Sequence, residues 1–402
     1  MLNKIKNSLK YIKFKDIIAI FIFVFVLPIS FIFKLVIKIR KKDIWLICED
    51  GQEARDNGYH LFKYIKKNHP QINVYYAINK KSCDYNKIKE YGNIIQYGSL
   101  KHWIYYLAAD KNISTQKAGN PNAPLFYFLQ VYGILKNKRV FLQHGIIMNN
   151  NKFLHYNETK LSLFVCGAKN EFDYVCKNFG YPDGTVKYLG LARYDNLYNY
   201  NVNRKQIVLM PTWREWLAKD VNILGKKEKF TNTNYFKRYN SLINNEKLIE
   251  YIEKNNIVLY FFPHRNMQKL IKYFETKSKN IKLVTANEME IQDLIKESAL
   301  MITDYSSVNM DFAYMRKPLI YYQFDKEEFR SRQYEEGYFS YENDGFGPVI
   351  ESEEDVVQKI IEYIDKNYEV EEIYKNRMND YFELHDQNNC RRNYEAICEL
   401  EK

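Results

Sequence analysis

Acidic residues are scarce in this chain. Its 402 residues include 49 Asp or Glu against 60 Lys or Arg, a formal net charge of +11. A surplus of that size suggests a nucleic-acid partner, but its position excludes one. Residues 1–42 hold nine lysines, Arg40 and a single acid, Asp16, so this segment carries +9 and the remaining 360 residues about +2. No basic face is left for a polyanion, and no nucleic-acid partner is expected. Cysteine is sparse as well. Cys48, Cys83, Cys166, Cys176, Cys390 and Cys398 form no CxxC pair, and their spacing fits neither a zinc knuckle nor a disulfide framework. They read as reduced, partly buried thiols of a cytoplasmic protein. No Asp-x-Asp pair offers ligands for a metal, no cofactor is expected, and there is neither a repeat period nor a low-complexity linker.

Long apolar runs are absent except for one. Ile17 to Phe33, IIAIFIFVFVLPISFIF, is 17 residues without a charge, the lower edge of a membrane-spanning length. No small-residue cleavage site follows, so a secretory signal peptide is not expected. Lysines flank the run on both sides, so the positive-inside rule cannot orient it. Pro28 and Ser30 interrupt it, and a re-entrant hairpin fits as well as a span. Either way the basic flanks are drawn to anionic lipid, at about 1 kcal/mol per residue near the surface. Residues 1–42 are therefore expected to form a membrane-associating segment; a buried core helix is the bland alternative.

From Asp43 onward short apolar runs alternate with helical stretches. IWLICE (44–49), NVYYAI (73–78), IIQYGS (94–99), NIST (112–115), RVFLQHG (139–145), LFVCGA (163–168) and VKYLG (186–190) read as strands. A second series follows with QIVLMPTW (206–213), IVLYFFPH (257–264), IKLVT (281–285), LMIT (300–303) and PLIYY (318–322). Strand–helix alternation with near-continuous apolar strands predicts parallel sheets covered on both faces. The fold class is α/β, with two facing Rossmann-like domains, 43–200 and 201–402, the second carrying the C-terminal helices. Ligands of such sheets bind beyond the carboxyl ends of the strands.

Four strand ends carry polar groups that a core would not choose: Gln143-His144-Gly145, Pro211-Thr212-Trp213-Arg214-Glu215, Pro263-His264-Arg265 and Asp304-Tyr305-Ser306-Ser307. Ser306 or Ser307 could cap the following helix, or could extend its N–H donors toward a phosphate. Asp304 would repel a phosphate, so it orients neighbours or meets a hydroxyl. Arg214 suits bidentate phosphate contact, against the alternative of a surface ion pair with Glu215. His144 and His264 are two of only seven histidines. A neutral His is the natural general base for a hydroxyl attacking a phosphoryl centre, and Gly145 leaves room for a ligand at the backbone.

The stretches QHGI, LMPTWRE, FFPHRN and ITDYSSVNMDFAYMRKPLIYY, with ARDNGYHLFKYIKKNHPQINVYY and GLARYDNL, resemble the CDP-glycerol glycerophosphotransferase family of teichoic acid primases and polymerases. The resemblance covers most of residues 43–330. It implies a GT-B-like fold with an acceptor-side first domain and a CDP-donor-binding second domain. It also implies work at the cytoplasmic face of the plasma or inner membrane. The implied reaction moves glycerol phosphate, or ribitol phosphate, from a CDP-alditol to a hydroxyl of a lipid-linked saccharide or polymer, for teichoic acid or capsule synthesis. By position, His144 matches the family's proposed base and His264 the histidine near the pyrophosphate. Ser306 and Ser307 match pyrophosphate-contacting hydroxyls, and Thr212, Arg214, Asp304 and Gly145 fall in the same motifs. His-Gly-Ile stands here where the family pattern reads His-Gly-Thr, which removes one hydroxyl.

Two other readings compete. A GT-B nucleotide-sugar glycosyltransferase of surface polysaccharide synthesis would share the architecture; the TDYSS and PTWR motifs favour phosphotransfer. A membrane-bound scaffold of a polymer-export complex would have no use for the His144 and His264 pair.

Overall fold

The computed structural model describes residues 14–40, 42–116, 119–135, 137–198, 200–219 and 227–400. Lys4, Lys6, Lys10, Lys13 and Lys41 of the expected basic flanks lie outside the described residues. Two compact units form. The first comprises Met1–Ile146, Lys152–Asn196 and Asp386–Lys402, and the second Ile147–Asn151 and Leu197–His385.

The first unit is built on seven parallel strands, β1 (Ile44–Ile47), β2 (Asn73–Ile78), β3 (Ile94–Gln96), β4 (Lys111–Ser114), β5 (Lys138–Phe141), β6 (Leu163–Cys166) and β7 (Val186–Tyr188), in the order β3-β2-β1-β4-β5-β6-β7. The second holds β8 (Asn203–Met210), β9 (Val258–Phe261), β10 (Ile281–Leu283), β11 (Ser298–Thr303), β12 (Leu319–Tyr322) and β13 (Val349–Ile350), ordered β10-β9-β8-β11-β12-β13. β1, β6, β11 and β12 are buried at every position. That explains their unbroken apolar runs: helices cover both faces, and no position is left for a solvent-side polar residue. Chain order reverses between β1 and β4, and again between β8 and β11, so each sheet has one crevice at its carboxyl edge.

The last helix, Asn389–Glu399, belongs to the first unit, whereas the sequence pattern assigns residues 201–402 to the second domain. Its start is fixed by Asp195, whose carboxylate accepts from the amides of Asn389 at 2.9 Å and Cys390 at 2.8 Å. Gly190 stands beside it with φ of +77°, and a Cβ there would lie 1.8 Å from Asn389 Oδ1; only glycine fits.

The apolar N-terminal run is one continuous helix, Phe14–Ile39, with Pro28 inside it. The re-entrant hairpin is therefore not formed. It is the one helix among the described residues long and apolar enough to cross a membrane. It is not a core helix either, since most of its surface is exposed. Asp16, Ala19, Phe23, Val26, Ser30, Phe33 and Ile37 fall on a single stripe, alternating three and four residues apart, and with Ile22 and Lys34 beside it they are the helix's sheltered positions. The stripe packs on helix Leu100–Ala108 and helix Ala123–Val131 through Trp103, Tyr106 and Phe126. Asp16 accepts from Asn122 at 3.0 Å near one end, and Lys34 lies 4.0 Å from Asp110 near the other. The opposite face leaves Phe21 at 70%, Val24 at 64%, Phe25 at 62% and Phe31 at 64% exposure.

Candidate active site

In the first unit the constellation begins one strand beyond the crevice. β5 ends at Phe141, and Gln143 takes a left-handed φ of +64°, so the left-handed backbone falls on Gln143 and not on Gly145. Such strain persists only where surroundings enforce it. Here the buried Gln143 side chain donates to Val165 O at 2.6 Å and Glu171 Oε1 at 2.9 Å, while Asn57 Nδ2 holds the Gln143 carbonyl at 2.9 Å. The turn projects His144 outward, with 58% of its side chain exposed. Half-buried Gly145 follows, and then Ile146, which is buried against Gly167; the threonine position of the family motif is a packing position in this chain.

His144 Nδ1 lies 2.8 Å from Asp56 Oδ2. A carboxylate only accepts, so Nδ1 carries the proton and Nε2 keeps its lone pair. Asp56 Oδ1 accepts from Arg193 Nη1 at 2.9 Å, and the same nitrogen donates to His144 O at 3.0 Å. Behind them Glu49, at the end of β1 and 2% exposed, accepts from the amides of Asp56 at 3.0 Å and Tyr59 at 2.9 Å. Loss of water alone would lower the His144 pKa, but the hydrogen bond and charge of Asp56 outweigh it and raise the value above 6.5. Burial would raise the Asp56 carboxyl; Arg193 and His144 pull it below its usual range instead. Burial and the Asp56 charge push Glu49 well up, against the pull of its backbone donors.

In the second unit the ends of β8 and β11 flank the crevice where Thr212 and Asp304 meet. Asp304 is fully buried and saturated. Oδ1 accepts from the amides of Thr212 at 2.8 Å and Tyr305 at 2.6 Å, and Oδ2 from Tyr239 Oη and Arg214 Nη1, both at 2.9 Å. Of its two expected roles, orienting neighbours is the one observed. Arg214 departs from both of its expected roles. Its side chain is 0% exposed and grips Asp325 through Nε at 2.8 Å and Nη2 at 2.9 Å, while Nη1 also donates to Thr212 O at 3.0 Å. It has no N–H pair to offer a phosphate, and Glu215 pairs with Lys219 instead. Burial would lower its pKa, but Asp304 and Asp325 raise it well above the usual value. Thr212 is 6% exposed and contributes its backbone, with no hydrogen bond to Oγ1 among the described residues.

The turn these groups hold presents half-buried Ser306 and Ser307. Ser307 makes no capping bond, and Ser306 Oγ accepts from Val308 N only at 3.4 Å. The helix that follows, Val308–Tyr314, has seven residues, so the donors available to an anion are the local N–H and O–H groups more than a long helix dipole. Beyond β9, His264 Nδ1 accepts from Asn266 N at 3.2 Å, and the ring lies parallel to Trp213 with centroids 5.9 Å apart. A neutral His264 therefore carries its proton on Nε2, the opposite tautomer to His144.

Asp56, Arg193, Glu49 and Asp325 were not singled out from sequence. Asp56 and Arg193 sit inside the stretches ARDNGYH and GLARYDNL, noted for their resemblance without a role.

Two doubly wound parallel sheets with polar strand ends place the chain in the GT-B-like class. It belongs to the CDP-Glycerol:Poly(glycerophosphate) glycerophosphotransferase family, whose model matches residues 29–399. It is 38% identical over 372 residues to the minor teichoic acid biosynthesis protein GgaB of Bacillus subtilis (strain 168), a match covering 90% of this chain and 40% of that protein. The teichoic acid poly(glycerol phosphate) polymerase of the same strain is 23% identical over 371 residues, covering 83% of this chain and 45% of that one. The chain thus spans less than half the length of these two relatives. Among solved structures, the wall teichoic acid polymerase TagF matches with a TM-score of 0.66 at 14% identity, over 90% of this chain and 89% of that one. UDP-GlcNAc 2-epimerase from Neisseria meningitidis matches with a TM-score of 0.52 at 9% identity, over 89% and 100%. At such identities these two likenesses speak for the fold.

Proposed function

We propose that this chain transfers glycerol phosphate, or a related alditol phosphate, from a CDP-alditol such as CDP-glycerol to a hydroxyl of a lipid-linked saccharide or polymer, releasing CMP, in synthesis of a teichoic acid-like or capsular polymer. Family membership supports the donor class. The opposite tautomers of the two strand-end histidines carry the chemistry. His144, with Nδ1–H directed at Asp56, offers Nε2 as base. It takes the proton of the acceptor hydroxyl, whose oxygen attacks the β-phosphorus. The bond from that phosphorus to the bridging oxygen breaks, and CMP leaves with that oxygen. His264, with Nδ1 engaged by Asn266, donates from Nε2 to the phosphate as charge builds on it. Ser306, Ser307 and the amides of their turn hold the pyrophosphate. Thr212, Arg214 and Asp304 fix that turn from beneath, and Gly145 keeps the approach to His144 clear. Positioning and charge stabilisation supply most of the rate.

The chain works at the cytoplasmic face of the membrane, with anionic lipids as partners, in this reading; the exposed apolar face of helix Phe14–Ile39 supports the attachment itself. A helix docked along its length on its own unit lies in the interface plane. The test of the reaction is incubation with CDP-glycerol, CDP-ribitol and UDP-sugars, each with a lipid acceptor. Acceptor-dependent CMP release is the expected result; UDP release in its place would transfer the chain to the glycosyltransferase reading.

A further inference from the structure

With Arg214 spent as a buried strut, the turn at Ser306 and Ser307 meets an anion with hydroxyls and amides, which are neutral. Helix Lys326–Arg332, which begins just beyond β12, carries three cations. Lys326 pairs with Glu342, and Arg332 pairs with Glu328 at 2.7 Å. Arg330 pairs with no acid among the described residues. Its Nη1 donates to the neutral Asn149 Oδ1 at 2.5 Å, and its guanidinium lies 6.0 Å from the centre of the Tyr341 ring. Arg330 is half-buried, with Nε enclosed and unpartnered. Nη2 also makes no hydrogen bond among the described residues, but it is not enclosed and stays open to a ligand.

Packing sets Arg330 beside the serine turn from two sides. Phe329, the residue before it, stacks on Tyr305 with centroids 3.9 Å apart, and Tyr341 meets the same Tyr305 at 5.9 Å. Met148, the residue before Asn149, has its Sδ 3.7 Å from Asn309 Nδ2, which donates to Ser306 O at 2.6 Å. Gly337 closes on that segment, where a Cβ would lie 2.2 Å from Met148 O. All of these residues belong to the second unit.

A half-buried guanidinium without a counter-charge is costly to keep, and an amide oxygen holds it in place without cancelling its charge. Both phosphates of a CDP-alditol are charged, and the planar guanidinium fork matches phosphate oxygens in charge and in geometry. We propose that Arg330 is a substrate-binding residue, the cation that meets the donor's pyrophosphate on the Ser306–Ser307 turn, with Asn149 as its positioning residue. The proposal rests on the transferase reading only for the name of the donor; the anion it requires is the diphosphate of a nucleotide.

The full chain is titrated calorimetrically with CDP-glycerol, UDP-GlcNAc and inorganic pyrophosphate, beside melting curves. Arg330→Gln should weaken CDP-glycerol by about tenfold or more, and Arg330→Lys, which keeps the charge without the fork, by less. Asn149→Asp supplies a carboxylate at the contact that Asn149 makes now. It should melt no lower than wild type and still weaken CDP-glycerol by about tenfold or more, a loss that a purely structural Arg330 would not produce. That variant decides the matter if Arg330→Gln misfolds. Unchanged affinity in Asn149→Asp, or in an Arg330→Gln protein that melts like wild type, overturns the proposal. So does a loss confined to Arg265→Gln, which would put the cation on the His264 loop. Wild type that takes UDP-GlcNAc and not CDP-glycerol counts against the transferase reading alone, and the same variants are then read with UDP-GlcNAc. Wild type that binds none of the three overturns the proposal. Binding needs no acceptor, so failure of CMP release would also count against the transferase reading alone.

Discussion

The Nδ1 atom of His144 lies 2.8 Å from Oδ2 of Asp56, a residue 88 positions earlier in the chain. The contact joins the loop after β5 to the first turn of helix Asn57–Asn68, whose N-cap is Asp56 itself. One carboxylate therefore caps a helix, meets Arg193 and fixes a histidine tautomer.

Asp56→Asn tests that arrangement. The amide Nδ2 would donate to His144 Nδ1 and drive the proton to Nε2, removing the base. A kcat lower by about 10²–10⁴-fold is expected, with donor affinity little changed.

The pH dependence follows from the same pair. The His144 pKa is raised above 6.5, and a base acts when neutral. Activity should therefore rise with pH through a midpoint above 6.5, and the midpoint should fall when Asp56 is neutralised. The pairing also stabilises the fold below the unfolded value and is lost as pH rises through the folded one, a small effect for a ring this exposed. A kcat/KM profile from about pH 5 to 9 on wild type, with an NMR titration of the His144 ring in both proteins, measures the shift.

Arg214 is expected to matter through the fold. Arg214→Met would leave Asp304 and Asp325 buried without their cation, a loss of about 3–5 kcal/mol. Thermal melting should show it. A normally stable variant that loses only donor affinity would restore the phosphate-contact role.

Ser306→Ala with Ser307→Ala should behave oppositely. Neither hydroxyl makes a strong cap, so the stability change should stay within about 0.5 kcal/mol. Hydrogen bonds to a charged phosphate are worth about 1.5–3 kcal/mol each, so donor use should fall by about 10²-fold or more. A lowered melting temperature with unchanged CDP-glycerol affinity would reduce the serines to capping.

For the membrane, deletion of residues 1–42 is a poor test, because it uncovers Trp103, Tyr106 and Phe126. Phe21→Glu, Phe25→Glu and Phe31→Glu together spare the docked stripe. Each Phe removed forfeits about 1.5–3 kcal/mol of burial in lipid. Flotation with anionic vesicles should show release of a protein that melts like wild type; continued flotation would move the attachment elsewhere.

Strands were the most legible part of the sequence, because two-sided burial writes itself as unbroken apolar runs, as in LFVC and LIYY. Their ends are less legible: RVFLQHG reads as one strand, whereas β5 stops at Phe141 and the left-handed Gln143 turns the chain outward. Residues 234–254 form two helices, Asn234–Leu242 and Glu246–Lys254, the second capped by Asn245. Among site residues, His144 and the TDYSS turn were visible as polar groups ending apolar runs. Their partners were not. Arg214 meets Asp325, 111 residues away, and Asp56 meets Arg193, 137 away. No local pattern announces such pairs, and the guanidinium read as a ligand contact proved to be a buried strut.

The central claim is that His144 is the base of an alditol-phosphate transfer. The most direct measurement is CMP release from CDP-glycerol with a lipid acceptor, by wild type and by His144→Ala, with donor affinity measured alongside. The expected result is acceptor-dependent release by wild type and a kcat lower by about 10²–10⁴-fold in the variant at nearly unchanged donor affinity. Wild-type turnover in His144→Ala would contradict the assignment.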